Sequence, residues 1–223
     1  MIKAILFDLD GTLLPNNEEL FAKLYFKAFA TKMAKYGYNP QKFVDGMQLG
    51  AKYMFFNDGK RTNEEVFKEG FNQTTGKDVN KDEEIVNDFY NNEYKESFSA
   101  LDKDEDALKA LIEAKNKGLK VILASNPLFP RIAYLNRAIY NDLKEEYFDE
   151  VTSYDLYHYA KPNPKYYEEI LTRHNLKVDE VIFFGNSKKH DIDPASSIGI
   201  KSYLVHDDGG ISSKEMLDII KAI

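Results

Sequence analysis

Asp8 and Asp10 are two carboxylates set two positions apart near the start of the chain, a pair able to take part in catalysis. They follow directly on the apolar run Ile2–Phe7, in the stretch FDLDGTLL, with Gly11 and Thr12 behind them. Two carboxylates placed this close repel one another, so the arrangement calls for something that relieves the repulsion. The rest of the sequence supplies candidates at matching positions. Ser125 and Asn126 follow the apolar run Leu119–Ala124, and Lys161 lies in AKPNP, just before a helical pattern that opens at Pro164. Gly185, Asn186 and Ser187 follow the run Val181–Phe184, with Asp191 five residues beyond Asn186. Each is a polar group of a kind that handles phosphate or metal. In open α/β sheets the reacting groups gather beyond the carboxyl ends of the strands.

The secondary structure that carries these residues is legible as a pattern. Four short apolar runs, Ile2–Phe7, Leu119–Ala124, Val181–Phe184 and Ser202–Val205, read as buried parallel strands, with a weaker fifth at Glu150–Ser153. Helical patterns at Glu105–Lys117, closed by Gly118, and at Pro164–His174 alternate with them. Alternation of this kind predicts a parallel sheet covered on both faces.

Residues 16 to 97 contain no convincing strand. Four amphipathic helical patterns are expected there. The first places Leu20, Phe21, Leu24, Tyr25, Ala28, Phe29 and Met33 on one face. The second carries Phe43, Val44, Met47, Ala51, Met54 and Phe55. A capping-box pattern, Thr62 to Glu65, opens the third, with Val66, Phe67 and Phe71 inward. The fourth holds Ile85, Val86, Phe89, Tyr90 and Tyr94. Together they predict a small helical bundle inserted after the first strand.

Composition narrows the function. A net charge of −7 without a basic block argues against a nucleic-acid groove. The absence of cysteine removes disulfides, thiolate zinc sites and cysteine nucleophiles. No apolar run approaches the roughly 20 residues that span a bilayer, and Met1-Ile2-Lys3 enters a strand with no signal-peptide pattern. A cytoplasmic protein with no membrane partner is expected. The acidic run Asp102, Asp104, Asp106 lacks the turn glycine of a calcium loop and reads as a helix start.

The chain resembles the haloacid dehalogenase superfamily over essentially its whole length. The Asp-x-Asp-Gly-Thr motif is matched by Asp8 to Thr12, the second motif by Ser125 in VILASN, and the third by Lys161 in AKPNP. The fourth is matched by FFGNSKKHDI with Asp191, followed by PASSIGI. The resemblance implies a Rossmann-like, doubly wound parallel sheet formed by residues 1–14 and 100–223, with an inserted four-helix cap at 15–99. It also implies a Mg2+-dependent phosphohydrolase that acts on a small phosphorylated metabolite through an aspartyl-phosphate. Asp8 would be the nucleophile and Asp10 the general acid/base, with Lys161 adding positive charge. Gly11, Thr12, Ser125, Asn126 and Lys161 would hold the phosphoryl group, and Asp8, Asp10, Asn186 and Asp191 the metal.

One position departs from the family pattern. Asn186 stands where an acid usually opens the fourth motif, which predicts weaker metal affinity rather than its loss. Three rival readings remain: a phosphomutase using the same residues, a phosphate-ligand-binding protein with a weakened site, and a carbon–halogen hydrolase. The last is disfavoured by Asp10, because departing halide needs no proton.

Overall fold

The computed structural model describes residues 1–223. Five strands form one parallel sheet in the order β3-β2-β1-β4-β5. They are β1 (Ala4–Phe7), β2 (Lys120–Leu123), β3 (Glu150–Val151), β4 (Val181–Gly185) and β5 (Lys201–Leu204). The central strand β1 is wholly buried, as its unbroken apolar run requires. Leu6 pairs with Ile122 on one side and Phe183 on the other. This register brings the ends of β1, β2 and β4 level, so Asp8, Ser125 and Asn186 emerge along one edge.

The insertion between β1 and the rest of the sheet is helical: α1 (Glu18–Ala34), α2 (Pro40–Phe55), α3 (Asn63–Thr75) and α4 (Glu83–Asn91), then a 3-10 segment over Glu93–Ala100. Its two ends lie side by side. Asn17 N–H donates to Ala100 O and Asp102 N–H to Pro15 O, both at 2.8 Å. Aromatic rings fill its interior; Phe29 stacks on Phe89 at 3.9 Å, and the Tyr25 and Tyr90 hydroxyls meet at 3.0 Å. Tyr94 falls on the 3-10 segment rather than on the fourth helix. Leu20 and Phe55, expected inward, are exposed. The buried stripe of α1 runs through Phe21, Tyr25, Phe29 and Met33, which turns Leu20, one position earlier, toward solvent.

Asn63, at the start of α3, fastens the insertion to the sheet edge. It is fully buried, its N–H donates to Tyr157 O at 2.8 Å, and its side-chain amide donates to Pro127 O and Tyr159 O at 3.3 Å. These acceptors flank the loops that carry Asn126 and Lys161.

The remaining helices cover the sheet: α5 (Glu105–Asn116), α6 (Arg131–Ala138), α7 (Pro164–His174), α8 (Asp193–Ser197) and α9 (Ser213–Lys221). Asp104 caps α5 by accepting from the N–H groups of Asp106 and Ala107, as an acidic helix start should. Alternate strand residues face opposite sides. Ile5, Phe7, Leu123 and Phe184 join the larger cluster with Leu111, Met216 and Ile220. Leu6, Ile122 and Phe183 join the smaller one with Tyr166, Tyr167 and Ile170. No helix is long and apolar enough to cross a membrane.

Candidate active site

A pocket of about 160 Å³ lies beyond the carboxyl ends of the strands. Asp8, Asp10, Ser125, Asn126, Lys161, Asn186 and Asp191 all line it, and no apolar side chain does. Residues spread over 183 sequence positions thus meet because β1, β2 and β4 end together.

Lys161 is the centre of the arrangement. Its Nζ donates to Asp8 Oδ1 at 2.8 Å and to Asp191 Oδ1 at 2.6 Å, and the lysine is only 2% exposed. Burial pulls the ammonium pKa down, but Asp191 and Asp8 overcome this and hold it well above its ordinary value. The Asp8 carboxyl moves the other way. Burial raises its pKa to about 7, against the pull of Lys161 and with the repulsion of Asp191 and Asp10 adding to the rise. One buried lysine therefore leaves Asp8 short of positive charge.

The loops around this centre are held by hydrogen bonds that fix their main chains. The Ser125 carbonyl accepts from Thr152 Oγ1 at 2.7 Å and from the Tyr166 hydroxyl at 2.8 Å. Asn126 Oδ1 accepts from Lys161 N–H at 3.0 Å, tying the second motif to the third. A π-helical turn over Lys188–Ile192 spans the gap from Asn186 and returns Asp191 to the pocket, where its Oδ2 accepts from Ser187 N–H at 2.9 Å. Lys188 and Lys189 on that turn are exposed.

Gly11 has φ +75°, and a Cβ there would come within 2.1 Å of Asn186 Nδ2. Only glycine accommodates both the turn and the amide. Gly11 lines an adjoining polar groove of about 490 Å³ with Asn16, Glu18, Asn186, His206 and Asp207. Thr12 is not brought to either wall; it is fully buried with its hydroxyl unpartnered.

The donor set suits a hard divalent cation. No three acidic or imidazole side chains are arranged to hold a metal ion by themselves, so such an ion would rest on the Asp8 and Asp191 carboxylates. The Asn186 amide oxygen and the Asp10 main-chain carbonyl are the neutral oxygens able to complete it. The charge shortfall at Asp8 is of the sign that a cation corrects.

Two residues at the site were not singled out from sequence. Glu18, on the first turn of α1, lines both the pocket and the groove. Arg137 of α6 is 2% exposed, and its Nη1 donates to Asp10 Oδ2 at 2.8 Å. A lone arginine among Ala133, Tyr134 and Ala138 was the available signal for the second. Glu18 offered none beyond its place at a helix start.

A family model described as haloacid dehalogenase-like hydrolase matches residues 2–199. The chain is 26% identical over 201 residues to the phosphorylated carbohydrates phosphatase of Thermotoga maritima, covering 90% of this chain and 83% of that protein. It is 27% identical over 210 residues to the glyceraldehyde 3-phosphate phosphatase of Methanothermobacter thermautotrophicus, covering 92% and 86%. A solved structure from Thermotoga maritima, provisionally described as a β-phosphoglucomutase, is 25% identical, covers 100% of both chains and superposes with a TM-score of 0.57.

Proposed function

The chain belongs to the haloacid dehalogenase-like hydrolase family, and we propose that within it this protein is a Mg2+-dependent phosphatase of small phosphorylated carbohydrates. The convergence of Asp8, Asp10, Lys161 and Asp191 in a pocket without apolar lining carries this assignment. The names of the two phosphatase relatives support the substrate class.

In this account Asp8 attacks phosphorus and the bond to the leaving oxygen breaks. Asp10 gives its proton to that oxygen, releasing the alcohol and leaving an aspartyl-phosphate on Asp8. Water then attacks the same phosphorus, Asp10 takes its proton, and the bond to Asp8 breaks to release inorganic phosphate. Lys161, Ser125 and the main chain around Asn126 hold the phosphoryl oxygens, and Gly11 keeps the backbone turn open beside them. Thr12, buried nearby, would support that turn. Asp8, Asp191, Asn186 and the Asp10 carbonyl would hold Mg2+, which supplies positive charge against an anionic nucleophile meeting an anionic substrate. Residues 1–14 and 100–223 would form the core, and 15–99 a cap that excludes bulk water during the first step.

A phosphomutase would use the same residues, and the β-phosphoglucomutase-like neighbour favours keeping it as the second reading. Both are tested by incubating a panel of sugar phosphates with enzyme, Mg2+ or chelator, and following free phosphate and isomer formation. Metal-dependent phosphate release, abolished in Asp8→Asn, supports the phosphatase. Isomer without net phosphate supports the mutase.

A further inference from the structure

We propose that Arg137 is the positioning residue for Asp10, holding its carboxylate in the orientation from which it exchanges protons in the pocket. This rests on the general acid/base role given to Asp10 above. Arg137 Nη1 lies 2.8 Å from Asp10 Oδ2, and Asn16 Nδ2 donates to Asp10 Oδ1 at 3.0 Å, so each carboxylate oxygen has its own donor. Rings fix the guanidinium in turn: Phe21 at 5.1 Å, Phe129 at 5.1 Å and Tyr134 at 5.2 Å.

Burying a guanidinium is costly unless it is paired and hydrogen-bonded. Here Nε and Nη2 find no partner, and the carboxylate of Asp10 is the one anion in direct contact with the buried charge. An arginine placed for packing alone would be better replaced by an apolar side chain. The Asp10 side chain is 24% exposed and, without these two donors, would sample other rotamers. During turnover Arg137 neither gains nor loses a proton. Its charge meets the carboxylate that remains when Asp10 has protonated the leaving oxygen. Phe21 belongs to α1, so the same cation also packs against the inserted helices.

The test is a double-mutant cycle on a sugar phosphate substrate with Mg2+, combining Arg137→Met with Asp10→Asn. Misplacing a catalytic group by about 1 Å can cost about 10²-fold. Arg137→Met is therefore expected to lower kcat about 10²-fold with KM changed less than about threefold. In the Asp10→Asn background the same change should cost less than about twofold. A loss of equal size in both backgrounds, or a rise in KM alone, overturns the proposal. Should Arg137→Met lack a cooperative melting transition, Arg137→Lys replaces it, keeping the charge without the planar guanidinium that the rings hold in place. Its loss must again vanish in the Asp10→Asn background. Failure of the wild type to release phosphate would overturn the phosphatase assignment itself, whereas release with an equal loss in both backgrounds overturns Arg137 alone.

Discussion

Lys161 Nζ lies 2.8 Å from Asp8 Oδ1, with both groups buried and 153 positions apart in sequence. The contact joins the end of β1 to the loop before α7. It puts a fixed cation beside the proposed nucleophile, and it makes the stability of the site depend on charge.

Replacing Lys161 leaves two buried carboxylates facing each other. Removing one partner of a buried pair costs about 3–5 kcal/mol. Lys161→Met is expected to destabilise the metal-free protein by that order in urea unfolding and to lower kcat at least about 10²-fold. Mg2+ should recover part of the stability but not the activity.

The Asp8 carboxyl gives a pH dependence whose sign is fixed by its shift. Burial, opposed by Lys161 and reinforced by Asp191 and Asp10, raises it from 3.8 to about 7. The folded metal-free chain then keeps a proton that the unfolded chain has already released, so stability falls as pH rises from about 4 to about 7. Asp8→Asn removes this dependence. In chelator, the mutant should gain stability relative to wild type at about pH 8 over its standing at about pH 5. An equal difference at both values would contradict the buried setting of Asp8.

Asn186 contributes an oxygen without charge. Asn186→Asp adds a third carboxylate to the proposed ligand set and is expected to tighten Mg2+ binding by about tenfold, since ligand charge count tunes affinity. Calorimetric titration of wild type and mutant reads this directly. Unchanged affinity would remove residue 186 from the ligand set.

The inserted helices depend on close approach between α2 and α3. A Cβ at Gly50 would meet Phe67 Cδ2 at 2.5 Å and the Phe67 carbonyl oxygen at 2.9 Å. Gly50→Ala should destabilise the protein by about 1–3 kcal/mol, because overpacking outweighs alanine's better helix propensity. A stabilised Gly50→Ala would mean that the two helices are free to separate.

Much of this was legible in the chain. β1, β2 and β4 are buried on both faces, so they read as apolar runs, and the polar residues after them meet in one pocket. β5, at the sheet edge, is partly exposed, yet its run was still visible. α6 was not seen, because its core-facing positions include Arg137, a charge that breaks the apolar pattern. Its partner Asp10 lies 127 positions away, and no local pattern reports a contact at that range. Gly50 and Gly70 allow the close crossing of α2 and α3, a use that no helical pattern reports. The turn that carries Asp191 back to Lys161 depends on π-helical winding, which residue spacing alone does not announce.

Acid-quenched intact-mass analysis of the enzyme during turnover of a sugar phosphate with Mg2+, followed by mapping of the adduct, tests whether Asp8 is the nucleophile. A phosphoryl adduct on Asp8 that decays as phosphate is released is expected, with neither adduct nor turnover in Asp8→Asn. Undiminished phosphate release by Asp8→Asn, with no adduct on the wild type, would contradict it.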